Sequence, residues 1–404
     1  MTRKTIVIVG GGYAGMQALI ALRRQFPDPE GVKIVLIDKH PGHLKKVLLF
    51  KAAVGPTKVV ASFAAGLREM AGVEFVQAEV MGIEAEAKAV LLRDREDRTT
   101  RFPYDALIVA VGSQFIVAPP ESGGINLASP AHAEEIKRHL AHNIERAIST
   151  SDPDRQDQLL RVAVVGGGIS GVETAAEIAT WLADEKKRHR LDAKRGGVHL
   201  INAQERLLPG APKAIGRKLE QRLGRLGVTV RHGARAERFE DGQVRLKGGS
   251  SLRAQTCVWT LGLRPSPALK AWKAPTDEGD RMIVDAHYRV SGWPYVYAIG
   301  DCARIVDPAT GRADGMTCRE ATAQACRLAA IVQGDFLGQP VPAHGPAISL
   351  FCIGLGPSDG FIWTRKWGLD IVLTGKLGWK IRDYTWQLVD FFDGPRASRK
   401  GKAI

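Results

Sequence analysis

Ile6-Val7-Ile8-Val9-Gly10-Gly11-Gly12-Tyr13-Ala14-Gly15 is the stretch whose pattern sets the fold, and Val162-Ala163-Val164-Val165-Gly166-Gly167-Gly168-Ile169-Ser170-Gly171 repeats it in mid-chain. Each copy runs a short β-branched strand into G-x-G-x-x-G and then into a helix-forming stretch. The first glycine makes the tight turn, the second lets the backbone approach a pyrophosphate, and the third lets helix and strand pack closely. Amides at the helix N-terminus then face the phosphate charge. One such motif is weak evidence. Two, each behind its own strand, predict two dinucleotides held at once. The expected contact positions are Gly10, Gly12, Tyr13, Ala14 and Gly15 in the first copy and Gly166, Gly168, Ser170 and Gly171 in the second.

Outward from the first copy, Ile34-Val35-Leu36-Ile37 reads as the second strand and ends in Asp38-Lys39. The Asp38 carboxylate is placed to bond a ribose 2′-hydroxyl. Leu107 to Val111 is a further buried strand that closes in Gly112, and Tyr297-Ala298-Ile299 closes in Gly300-Asp301. Val198-His199-Leu200-Ile201 is the matching second strand of the second copy and ends in Asn202. His132 to Ile148 reads as a helix, with Ile136, Leu140, Ile144 and Ile148 at four-residue spacing. Val73 to Val76 and Ala89 to Leu92 read as meander strands. The expected architecture is α/β, with two Rossmann-like three-layer domains, the second inserted in the first, and a C-terminal α/β tail segment. Residues 1–118 and 282–343 form the first domain, 119–160 a linker and helix, 161–281 the second domain, and 344–404 the C-terminal segment.

Composition agrees. A chain of 404 residues is too long for one core. Its 45% hydrophobic and 25% charged residues, with 44 glycines, suit a globular α/β protein. No run of about 18 apolar residues is free of glycine and charge, so no spanning helix is expected. Arg3-Lys4 before an apolar run imitates a secretory signal, but that run is the fingerprint, so a cytoplasmic protein is expected. The net charge of +14 includes basic runs at Lys45-Lys46, Lys186 to Arg190, Lys194-Arg195 and Arg396 to Lys402. No zinc spacing, helix-turn-helix or RNA motif accompanies them, which argues against nucleic acid. An anionic membrane surface would gain about 1 kcal/mol per Lys or Arg near the headgroups, and a solvated face explains any single run equally. The cysteines, Cys257, Cys302, Cys318, Cys326 and Cys352, include no C-x-x-C. Packing is the expectation for Cys302 and Cys352, and no metal site is expected.

The first fingerprint with Asp38, the Val-Gly strand end at Gly112 and the late Ile299-Gly300-Asp301 together resemble the two-dinucleotide flavoproteins of the pyridine nucleotide-disulfide oxidoreductase superfamily. That resemblance implies FAD on the first site, with Asp301 at its ribityl–pyrophosphate part, and NAD(P)H on the second. Disulfide-reducing members carry a cysteine pair after the first βαβ unit, but His40 to Gly55 holds none. No cysteine precedes Cys257, which removes the pair expected of a sulfide:quinone oxidoreductase. Electrons are therefore expected to pass from nicotinamide to flavin and on to an external acceptor.

Gly168 to Ile178 resembles type II NADH dehydrogenases, whose Gly-Val-Glu glutamate lies near the nicotinamide. Glu173 takes that place, positioning the nicotinamide or relaying a proton, unless it only offsets the helix dipole from the first turn. Val258-Trp259-Thr260-Leu261-Gly262-Leu263-Arg264-Pro265 resembles the same family's strand and turn and adds Gly262. His43-Leu44 with Leu48-Leu49-Phe50 is similar to its cysteine-free segment, and Gly354 to Gly360 to the turn of the shorter ferroptosis-suppressor branch. Two positions depart from the pattern. Asn202 stands where NADH-specific members have glutamate, and with Arg206 nearby NADPH use or no preference is expected. The quinone-site pattern A-Q-x-x-x-Q keeps Gln324 and replaces the second glutamine by Leu328.

Near the C-terminus, Leu377, Ile381, Tyr384, Leu388 and Phe391 recur at helical spacing beside Trp379, Trp386, Lys376, Lys380 and Arg382. Such a basic amphipathic helix lies on a membrane surface or packs on the flavin domain or on a second subunit of a homodimer. The resemblance implies a FAD-dependent, non-pumping NAD(P)H:quinone oxidoreductase, using ubiquinone or menaquinone, peripheral on the inner face of the cell membrane. Two alternatives stand beside it: a soluble reductase of a rubredoxin- or ferredoxin-type protein, and an apoptosis-inducing-factor-like, redox-switched binding protein.

Overall fold

The computed structural model describes residues 3–345, 350–388 and 390–392. The first fingerprint strand lies at the middle of a five-stranded sheet, in the order Val296–Ala298, Ala106–Val109, Lys4–Val9, Val32–Asp38 and Val73–Gln77. All neighbours are parallel, with Ile6 in register with Ile34 on one side and Ala106 on the other. Parallel sheets are covered on both faces, so their strands read as continuous apolar runs. Ile6, Ile8, Ile34, Leu36 and Ile108 are accordingly fully buried, each contributing about 1.5–3 kcal/mol by leaving water. Val73–Gln77 differs from expectation: it completes this sheet, Phe75 in register with Leu36. The antiparallel meander consists of Glu79–Glu84, Ala89–Arg93 and Thr99–Pro103. Alternation in so short a run is the same in either setting, and the partner strand decides.

The second sheet repeats the plan, in the order Ile125–Asn126, Thr256–Trp259, Arg161–Val165, Gly197–Ile201 and Val228–Arg231, all parallel. In each sheet the chain leaves the strand beside the fingerprint through a glycine, Gly112 or Gly262, at φ +61° and +93°. The two short strands that follow, Ser113–Phe115 and Leu263–Pro265, pair antiparallel with Gln114 facing Arg264. This crossing joins the two units.

The longer helices of the two units include α1 (Tyr13–Gln25), α2 (Pro130–Ser149), α3 (Ile169–Arg188) and α4 (Cys318–Leu337). α2 is the helix expected from its four-residue spacing. Its Ile136, Leu140 and Ile144 are buried, whereas Ile148, in the last turn, is 46% exposed. α1 packs along α4, with the Phe26 and Phe336 rings 5.9 Å apart.

The C-terminal segment forms an antiparallel sheet, Leu350–Gly354, Gly360–Lys366 and Leu369–Thr374, closed by α5 (Gly375–Leu388). The α5 backbone lies directly on the middle strand, since a Cβ on Gly378 would stand 2.4 Å from the Gly360 carbonyl oxygen. Gly378, Arg382 and Trp386 form the inward face of α5. The expected apolar stripe divides: Leu377 is 55% and Tyr384 59% exposed, whereas Leu388 lines a cavity. Phe391 departs from that stripe and is buried against Tyr13 and His43, at 6.3 and 5.1 Å between ring centres. The basic run Arg396 to Lys402 lies outside the described residues.

Candidate active site

Both fingerprints fold into the same local shape. Gly10 and Gly166 take φ of +103° and +124°, where a side chain would be strained. A Cβ on Gly15 would stand 1.8 Å from the Gly10 oxygen, and one on Gly171 would stand 1.7 Å from the Gly166 oxygen. Gly12 and Gly168 occupy the N-cap positions of α1 and α3, and neither helix has a side-chain cap or an acidic residue in its first turn. α2 and α4, by contrast, are capped by Ser129 and Thr317. A Cβ on Gly12 or Gly168 would meet nothing within 4 Å. Two helix N-termini therefore present free amides to open space, the arrangement that holds a phosphate. The residues present fit one dinucleotide at each.

At the first site Asp38 ends its strand and accepts from Gly11 N at 2.7 Å and His40 N at 2.8 Å. Lys39, next in sequence, is exposed and 3.9 Å from Glu79. Tyr13 and Ala14 open α1, and Tyr13 stands edge-on to His43, whose Nδ1 lies 2.9 Å from the Gly11 oxygen. Burial pushes the His43 imidazole down to about 4, so it is neutral. Asp301 lies beside Gly112–Ser113, accepting from Ser113 Oγ at 2.5 Å, and Lys46 donates to the Ser113 carbonyl. Burial lowers the Lys46 ammonium, and the carboxylates of Asp301 and Asp38 act against that shift.

Gln324 occupies a different place from the one the sequence pattern implied. It is buried, its Oε1 accepting from Gly300 N at 2.8 Å and its Nε2 donating to Asp314 at 2.8 Å. It fixes the Gly300–Asp301 turn, while the neighbouring α4 face of Cys318, Thr322, Ala323 and Cys326 lines the cavity.

At the second site Asn202 lies buried beneath the fingerprint. Its Nδ2 donates to His232 Nδ1 at 3.0 Å, and a Cβ on Gly167 would stand 2.3 Å from its Oδ1. Arg206 is bound to its own loop, donating to the carbonyls of Leu208, Pro209 and Ala211.

The two sites open on one cavity of about 600 Å³. Phe115, Ile116 and the Leu261–Leu263 turn come from the crossing, Ile169, Ser170 and Glu173 from α3, and Arg382, Thr385 and Leu388 from α5. Glu173 is the fifth residue of α3, past the first turn, so a dipole role does not account for it. It is 3% exposed and bound bidentately by Arg382, with Oε1 2.8 Å and Oε2 3.1 Å from Nη2, and Gly354 N donates to Oε1 at 2.8 Å. Burial pushes its carboxyl above the ordinary range, and Arg382 opposes this. Cys352, expected to be packing, is half-buried on the cavity wall, 3.8 Å from Thr385.

One turn further along α3, burial pushes the Glu177 carboxyl up to about 6, and its Oε2 has no partner. The folded protein therefore keeps a proton that the unfolded chain releases near its ordinary value, so this group's contribution to stability falls as pH rises from about 4.5 to 6. Glu177→Gln should flatten the pH dependence of the urea midpoint across that window and raise the midpoint at pH 8. An unchanged slope would refute the assignment.

Lys46, Thr260 and Arg382 complete this site and were not among the residues singled out for it. For Arg382 a signal existed: Gly378, Arg382 and Trp386 recur at four-residue spacing, a second face of the helix whose apolar stripe drew attention.

Comparison with known proteins follows this geometry. Residues 4–325 match the family described as pyridine nucleotide-disulphide oxidoreductase. The chain belongs to that family. Within it, the chain is 29% identical to the type II NADH:quinone oxidoreductase Ndh of Mycobacterium tuberculosis over 75% of this chain and 68% of that one. It is 25% identical to the demethylphylloquinone reductase NdbB of Synechocystis over 95% and 93%. Among solved structures, NDH2 of Plasmodium falciparum in complex with NADH superposes with a TM-score of 0.79 at 18% identity, covering 99% of both chains. This oxidoreductase has no disulfide among its described residues, and burial pushes the Cys257 and Cys302 thiols up to about 12.

Proposed function

We propose that the protein is a FAD-dependent NAD(P)H:quinone oxidoreductase. The observation that carries this reading is the single cavity shared by the start of the second fingerprint helix, the crossing strands and the C-terminal helix, in a chain with no C-x-x-C and no cysteine before Cys257. The named activities of the relatives from Mycobacterium tuberculosis and Synechocystis agree. FAD, when bound, supplies the ring that accepts hydride from the nicotinamide and passes electrons to the quinone. The chain's own part would be to hold the two dinucleotides beside the shared cavity. Gly10–Gly15 and Asp38 orient the first dinucleotide, Gly166–Gly171 the second, and Asp301 with Lys46 the region between. Apolar walls from Phe115, Ile116 and Leu261 exclude water. Glu173, bound by Arg382, fixes the polar side of the cavity.

Anaerobic stopped-flow tests the reading. Reduction of the holoprotein by NADH should be fast, and mixing with duroquinone should re-oxidise it. NADH should serve at least as well as NADPH, because Arg206 is engaged elsewhere. Fast reduction without a response to quinone would transfer the reading to a protein acceptor. A long-lived reduced complex would favour a redox-switched binding protein.

We further propose that the protein works on the cytoplasmic face of the cell membrane, seated through its C-terminal segment. No described helix is long and apolar enough to cross a membrane. The hairpin turn exposes Trp367 at 85% and Leu369 at 68%, and α5 exposes Leu377 and Tyr384 among Lys376 and Lys380. Aromatic and apolar side chains ringed by lysines suit an anionic headgroup layer. Trp367→Ser with Leu377→Ser should weaken partition onto anionic vesicles by about tenfold or more, since each side chain carries about 1.5–3 kcal/mol of burial. Unchanged flotation, or a dimer covering this face in solution, would sink the idea.

A further inference from the structure

Three of the chain's five cysteines line the one cavity that the two sites share. Cys318 and Cys326 lie on the same face of α4, eight residues apart, and Thr322 and Ala323 between them also face the cavity. Cys352 comes from the first strand of the C-terminal sheet. The other two cysteines, Cys257 and Cys302, are in the cores of the two sheets.

The three cavity thiols differ in access. Cys318 and Cys352 are half-buried, and burial pushes both thiols up, so they stay protonated and poorly nucleophilic. Cys326 is exposed at the cavity edge. The cluster thus has two half-buried thiols and one exposed thiol lining the same cavity. A quinone is an electrophile as well as an oxidant, and the exposed Cys326 sulfur lines the cavity that would receive it.

Resting on the quinone reading above, we propose that Cys326 is a covalent capture site for quinones that carry an unsubstituted ring carbon. The Cys326 sulfur adds to that carbon, so a C–S bond forms and the S–H bond is lost. The thiol proton goes to one carbonyl oxygen, and the ring hydrogen at the attacked carbon moves to the other as the ring becomes aromatic. The product is a hydroquinone thioether. The quinone has gained two electrons from the new bond, and no outside oxidant or reductant is required. A fully alkylated quinone has no ring hydrogen to move and cannot complete this step. The same cavity would then turn over alkylated quinones and be closed by bare ones.

The test uses the holoprotein with 1,4-benzoquinone, read by intact mass and peptide mapping, with duroquinone as the fully substituted comparison. One adduct is expected, on Cys326, slowed by excess duroquinone and lost in Cys326→Ser. The adducted protein should still be bleached by NADH at the unmodified rate, while its re-oxidation by duroquinone falls at least about tenfold, as expected when an acceptor is displaced from its reacting position. Adducts confined to Cys318 or Cys352, no protection by duroquinone, or unchanged re-oxidation would each overturn the proposal. The mass readout does not depend on turnover. Failure of unmodified protein to reduce duroquinone would therefore be seen separately, as failure of the quinone reading itself.

Discussion

Replacing Arg382 with leucine is expected to lower stability by about 3–5 kcal/mol, the range for breaking one side of a buried ion pair. The two side chains are only 10% and 4% exposed, so Glu173 would keep a single strong partner, the Gly354 amide. A carboxylate left in that position would take up a proton rather than remain charged without its cation. The stability of the variant should consequently fall as pH rises above the ordinary carboxylate range, because the folded state then holds a proton that the unfolded chain has released. Urea midpoints of the holoprotein between pH 5 and 8 provide the measurement. Replacing Glu173 and Arg382 together by leucine should recover most of the loss, because a buried pair is costly to halve and much less costly to remove. A single variant within about 0.5 kcal/mol of the parent, the ordinary scatter for surface changes, would show that the pair does not hold the C-terminal segment down.

The second large effect separates the two nucleotide sites. Gly171→Ala places a Cβ 1.7 Å from the Gly166 oxygen, and Gly15→Ala does the same at 1.8 Å from the Gly10 oxygen. Backbone cannot yield by that much without moving the turn. Gly171→Ala should therefore purify yellow yet lose about a hundredfold or more in its rate of bleaching by NADH, the scale of loss for an ångström of misplacement. Gly15→Ala should purify without flavin. Gly168→Asp guards against misfolding as the explanation. Its Cβ meets nothing within 4 Å, so it adds negative charge at the phosphate position without a clash and should also slow reduction. A yellow Gly15→Ala protein, or a Gly168→Asp protein reduced at the normal rate, would contradict the assignment of the two sites.

Much of this was legible in the sequence because it is local. A turn that only glycine can make, placed behind a β-branched strand, leaves its mark within ten residues, and both fingerprints, Asp38 and the α2 helix were read that way. What escaped was long-range. Arg382 meets Glu173 across 209 positions of chain, and nothing in the periodicity of either helix names the other. Gln324 matched a motif by spacing, but spacing does not say which face of α4 looks into the cavity. Cys326, two residues on, faces it, whereas Gln324 turns to Gly300. Phe391 continued a helical period past the last helical residue, Leu388. Its ring lies against His43 rather than among the exposed apolar residues.

The order of strands in the first sheet governs how the molecule emerges from the ribosome. Its outermost strand, Val296–Ala298, pairs with Ala106–Val109, and every strand of the second sheet is translated between them. The later unit is thus the first that can close. The N-terminal half must wait, its Ala106–Val109 backbone edge unpaired and its Leu107 and Ile108 side chains without their final cover, until most of the polypeptide has been made. An open apolar edge of this kind recruits other chains. Slowing translation just before residue 296 would worsen the yield, and a folding helper that shields strand edges would restore it.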